Sequence, residues 1–148
     1  MQKTKLSPRR LSRSLAVQAL YHFQTNKKSS SEIEDFLHSS NEDLYIRANY
    51  ELMHFIIDNG ISDFDKYINK YTQYSSRSVD EIQMVERSIL VIAAIELEQN
   101  LSVPAPVIIN EAIELAKLYG GEESFKFVNG LVDKLAIELR SIEMANKR

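Results

Sequence analysis

No cysteine occurs in the 148 residues. Disulfides, thiolate nucleophiles and cysteine-ligated zinc are thereby excluded, and the fold must rest on packing. Glycine and proline are scarce, at four and three, so the chain has few built-in breaks. Together with apolar residues at three- and four-residue steps and little two-residue alternation, that scarcity predicts an all-α protein. No apolar run approaches the roughly 20 residues that span a bilayer, and the basic N-terminus lacks the apolar body of a signal peptide. A cytoplasmic protein is expected. The most local absence is of negative charge, because the first carboxylate is Glu32.

Seven cations precede it: Lys3, Lys5, Arg9, Arg10, Arg13, Lys27 and Lys28. The remaining 11 basic and all 21 acidic residues follow, so a net charge of −3 conceals +7 against −10. Between Glu32 and Asp65 nine acidic residues stand against Arg47 alone. That stretch repels nucleic acid, and a nucleic-acid surface has to lie elsewhere. With 44% hydrophobic and 26% charged residues, the chain has the balance of one globular domain able to bury a sizeable core.

The stretch from Leu6 to Gln24 organises the rest. Ser7 followed by Pro8 suits an N-cap and first helical residue, since proline needs no hydrogen bond there and its fixed φ already fits a helix. At roughly 100° per residue, Leu11, Leu15, Ala16, Ala19, Leu20 and Phe23 gather on one side. Arg10, Arg13, Val17, Tyr21 and Gln24 line the other. Two guanidinium groups one turn apart, with a tyrosine further along, are suited to hold phosphates at one end and an unpaired base at the other. The competing reading is a solvated helix end carrying a basic arm.

Helical spacing continues along the chain. A short helix carries Ile33, Phe36 and Leu37, and a longer one runs from Glu42 to Asn59 with Gly60 as its expected stop. Another holds Phe64, Tyr67, Ile68 and Tyr71 before the polar segment Thr72 to Ser78, where a division between two subassemblies, about 1–75 and 76–148, is expected. Val79 to Gln99 reads as a deeply buried helix. Pro104 and Pro106 then impose a stiff break. Val107 to Tyr119 ends at Gly120-Gly121, and a last helix runs from about Glu123 to Ile142, with a loose tail. About seven helices result.

His22, His38 and His54 fall on different helices and form no HExxH pair. Asp35-x-x-His38 and Glu51-x-x-His54 have the carboxylate–imidazole spacing of di-iron bundles, but such a site needs further inward carboxylates, and the neighbouring acids read as a solvated face. No metal, catalytic residue or cofactor is expected. The turn around Gly120 is more informative: Lys117, Tyr119, Phe125, Lys126 and Phe127 place cations beside rings, a combination that holds unstacked bases. The alternative is that Tyr119 and Phe127 are core residues.

INEAIELAK, then G-x-E-x-S-x-KFVNG-x-x-DK, a preceding VP loop and AVQALY in the first helix together resemble the NusB family of bacterial transcription antitermination factors. The resemblance covers nearly the whole chain. It implies two perpendicular helical subassemblies, no catalysis, and binding of boxA RNA together with NusE, a ribosomal small-subunit protein, in the RNA polymerase antitermination complex. By the same resemblance, Arg9, Arg10, Arg13 and Tyr21 match positions that contact RNA, as do Glu123, Lys126 and Phe127 before and within the last helix. Glu86 matches an acidic position near the RNA and partner surface. Two departures stand out. RRLSR is a thinner arginine cluster than in many relatives, which implies either a lower affinity from this arm or one that leans on Lys3 and Lys5, and Glu123 stands where aspartate is familiar.

The sequence thus reads as a non-enzymatic RNA-binding adaptor. Two rivals are the RNA-targeting helical module of an rRNA cytosine methyltransferase, disfavoured by the lack of a glycine-rich cofactor loop, and a protein–protein scaffold that binds no RNA. A homodimer of the free protein is left open.

Overall fold

The computed structural model describes residues 6–147, and every regular element among them is helical. Nine α-helices follow in order: α1 (Pro8–Thr25), α2 (Ser30–Ser40), α3 (Glu42–Arg47), α4 (Tyr50–Ser62), α5 (Phe64–Asn69), α6 (Met84–Gln99), α7 (Ala105–Tyr119), α8 (Glu122–Leu139) and α9 (Ser141–Lys147). A 3-10 turn, Val79–Glu81, precedes α6. None of these helices is long and apolar enough to cross a membrane. The two helices beyond the expected seven arise because the segment from Glu42 is broken in the middle and because the tail is helical.

The chain divides into two compact units, Met1–Asp63 and Phe64–Arg148. Sequence reasoning put the division at residues 72–79, one helix later. The reason lies in α5 and the turn after it, where Tyr67 and Tyr71 are buried. The Tyr71 hydroxyl donates to the Leu90 carbonyl of α6 at 2.7 Å and that of Tyr67 to Glu98 at 2.9 Å. Burial pushes the Tyr71 phenol far above its usual range, so it stays a neutral donor.

In the first unit α1 packs against α2, α3 and α4. Leu11, Leu15, Ala16, Ala19 and Leu20 of α1 are buried, as are Ile33 and Leu37 of α2 and Met53, Ile56 and Ile57 of α4. Each large aliphatic side chain so buried stabilises the fold by about 1.5–3 kcal/mol before entropy is counted. Asn49 makes the break between α3 and α4. Its side chain accepts the Leu52 N–H at 3.1 Å as the cap of α4, while its backbone N–H donates to Pro8 O at 3.2 Å and its carbonyl accepts from Ser12 Oγ at 2.7 Å. Gly60, expected as a stop, lies inside α4, because a Cβ there would come within 2.7 Å of Leu20 Cδ2. It is a contact glycine, and the helix runs on to Ser62.

In the second unit α6 packs against α5, α7 and α8. Ile89 to Ile95 are buried without exception, which is why this segment is apolar on all sides. The C-terminal end of α6 is closed by Arg140, whose guanidinium donates to the carbonyls of Glu96, Leu97, Asn100 and Val103 and to the Glu143 carboxylate, at 2.8–3.2 Å. The last carbonyls of a helix lack intrahelical donors, and a planar five-donor group suits them. Arg140 also ends α8, and α9 then returns with Met144 buried. Of the tail expected to be loose, residues 144–147 continue α9, with Met144 buried and Ala145 and Asn146 exposed.

Candidate nucleic-acid interface

The first candidate group lies at the start of α1. Ser7 Oγ accepts the Arg10 N–H at 3.3 Å, Pro8 occupies the first turn, and no acidic residue is present there. Arg9 is exposed and Arg10 half-buried. Further along, Tyr21 is 47% exposed, about 16 Å from Arg10 by helical rise. Between them the stripe is closed. Arg13 is only 4% exposed and Val17 is buried, so the side of α1 read from its spacing as open is open only at its two ends. The helical wheel does not register that α1 is enclosed by neighbours over its middle turns. Lys3 and Lys5 lie outside the described residues.

A separate candidate group is built on the α7–α8 turn of the other unit. Gly120 and Gly121 are extended, with no positive φ, so the glycines are not there for a left-handed cap. Gly120 is required by close approach: a Cβ would stand 2.6 Å from both Cβ and Oγ of Ser124. Ser124 in turn donates to Glu86 Oε2 at 2.8 Å, and the Gln83 N–H donates to Glu86 Oε1 at 3.3 Å. Glu86 is 3% exposed and serves as the third residue of the α6 capping box. Its carboxylate is spent inside the unit, joining the start of α6 to the start of α8, and is not offered at the surface.

What Glu86 does reach toward the surface is Arg77, whose Nη1 lies 3.6 Å from Glu86 Oε1. The Arg77 guanidinium carbon stands 4.0 Å from the centroid of the Phe127 ring. Phe127 and Tyr119 are half-buried rather than core residues. Lys126 is exposed and 3.4 Å from Glu122, Lys117 lies over the Phe125 ring at 5.2 Å, and Glu123 is exposed. Gly120, Ser124, Glu86, Arg77 and Phe127 thus form one connected series. Arg77 and Ser124 escape sequence reasoning because Arg77 sits in a polar connection with no periodicity and Ser124 reads as an ordinary first-turn serine.

The candidate residues therefore fall into two groups. Arg9, Arg10, Arg13 and Tyr21 share α1 in the first unit, while Glu86, Glu123, Lys126 and Phe127 belong to the second. The histidines engage rings or a carboxylate: His22 stacks on Phe36, His38 on Tyr45, and His54 stacks on Tyr50 with Nδ1 2.6 Å from Glu34. Among the described residues no three of histidine, aspartate and glutamate gather as metal ligands would.

Comparison with known proteins finds relatives over nearly the whole chain. The model of the NusB family matches residues 10–136. The transcription antitermination protein NusB of Burkholderia vietnamiensis is 40% identical over 144 residues, which cover 97% of this chain and 98% of that protein. That of Alcanivorax borkumensis is 40% identical over 143 residues, 96% and 93% of the two chains. That of Burkholderia cenocepacia is 39% identical over 144 residues, 97% and 98%. By family match and by near full-length identity, this chain belongs to the NusB family of transcription antitermination proteins.

Proposed function

We propose that this protein binds boxA RNA jointly with the ribosomal protein NusE and so supports processive transcription of ribosomal RNA operons, acting in the cytoplasm as a non-enzymatic part of the RNA polymerase antitermination complex. The observation that carries the reading is charge segregation: all seven cations of the first 31 residues precede the first carboxylate, and Arg9 and Arg10 stand at the open start of α1. Guanidinium groups at a helix N-terminus attract phosphate through both their own charge and the helix dipole. In this reading Arg9 and Arg10, with Lys3 and Lys5, supply sequence-independent attraction, and Tyr21, Lys126 and the surface around Phe127 meet unpaired bases. Glu123 borders the second group. Arg13 contributes by packing α1, and Glu86 by holding the second group in place. The acidic remainder of the chain suits a basic ribosomal protein.

The test is an RNA titration of the full chain, with boxA and a scrambled RNA, alone and with NusE, at one salt concentration. Tighter binding of boxA than scramble, strengthened by NusE, is the expected result. Equal affinity for both RNAs, unaffected by NusE, contradicts the proposal.

A further inference from the structure

Arg77 lies in the connection between α5 and α6, outside every motif that carries the family likeness. Its backbone is fixed on both sides. The Arg77 N–H donates to Ser75 Oγ at 3.0 Å, and its carbonyl accepts from the same hydroxyl at 2.9 Å. Ser78, the next residue, forms a capping box with Glu81 over the 3-10 turn. Its guanidinium is held too, over the Phe127 ring at 4.0 Å and beside the Glu86 carboxylate at 3.6 Å. Glu86 cannot follow a moving partner, because Ser124 and the Gln83 N–H hold both its oxygens. Arg77 is thus positioned from three directions, yet its side chain is 42% exposed.

A guanidinium stationed on a ring occupies the face on which a base would otherwise stack. It also replaces that face with another planar surface, one that stacks on bases and carries positive charge. We propose that Arg77 is the base-stacking residue of the second unit: an unpaired base rests on the guanidinium, with Phe127 beneath it and Glu86 fixing its edge. The inference rests on the RNA-binding reading and deepens it by naming the residue that meets the base. Phe127 then acts as a positioning residue, and the arrangement explains why a buried glutamate is kept next to an RNA surface. The carboxylate orients a cation and is not itself a ligand for RNA.

Titration of wild type, R77K, R77A and E86Q with boxA and scrambled RNA over several salt concentrations tests this. Lysine keeps the charge and loses the plane, so R77K is expected to weaken boxA about tenfold while the scramble and the salt slope change little. R77A should lose at least as much on boxA. E86Q, which leaves Arg77 in place but unanchored, should show a smaller loss of the same kind, and its value does not depend on how well the Arg77 variants fold. Wild-type preference for boxA retained by R77K refutes the stacking role alone. Tighter binding by R77A also refutes it, because Arg77 would then be a cover over Phe127. A wild type with no preference between the RNAs refutes the RNA reading and the inference together.

Discussion

Two adjacent glycines should respond to substitution with opposite signs. A Cβ at position 120 would lie 2.6 Å from Ser124 Cβ and Oγ and 3.1 Å from the Ala116 carbonyl oxygen. Carbon atoms in contact sit about 3.5–4.0 Å apart, so the first turn of α8 has to retreat by about 1 Å. Rotation of Ser124 relieves its Oγ but not its Cβ. Overpacking of this kind costs about 1–3 kcal/mol. For a chain of this size that corresponds to a fall in melting temperature of about 3–9 °C. A Cβ at Gly121, the N-cap of α8, would meet nothing within 4 Å, and the backbone there is extended rather than left-handed. Serine there adds a cap acceptor and restricts the unfolded chain, so G121S should be neutral to about 1 kcal/mol stabilising. Thermal melts followed by circular dichroism compare the two. G120A should also lose boxA preference, since the Ser124–Glu86 contact moves with α8. A G120A protein that melts like wild type, or a G121S protein that falls as far as G120A, refutes the close-approach reasoning.

Three further outcomes follow from the same geometry. R140A, which strips four backbone carbonyls and Glu143 of their donor, should destabilise by about 3–5 kcal/mol in urea unfolding, and lysine should not rescue it because one ammonium cannot serve five acceptors. The Glu143 carboxyl is held below its usual value of 4.5, first by the Ala105 N–H and then by Arg140; its contribution is therefore complete above about pH 4.5 and lost as pH falls through its lower folded value, so E143Q should flatten that part of the acid-unfolding curve. R9A/R10A should weaken boxA and scrambled RNA by similar factors and reduce the salt slope by about 1.4, and R13A should lower the melting temperature.

The helical class was legible because nearly every buried residue obeys helical spacing, from Leu11 to Leu135. Its boundaries were legible where a cap announced them, as at Ser7 and Pro8, and failed where a tertiary contact decided. Asn49 breaks the helix from Glu42 through bonds to Pro8 and Ser12, 37 or more residues away in sequence. Gly60 is read locally as a stop and acts as a contact for Leu20. Arg140 looks like one more surface charge on α8, and its five acceptors come from three other segments. In the candidate interface the residue types were legible, but their exposure was not: Arg13 and Glu86 look available in sequence and are 4% and 3% exposed. Arg77 carried no signal, since its meaning depends on Phe127, fifty residues on.

The most direct measurement of the central claim is the affinity of the full chain for boxA RNA relative to a scramble of the same length, determined with and without NusE at fixed salt. A preference for boxA that grows when NusE is added is the predicted result. Identical affinities for the two RNAs under both conditions would contradict the account.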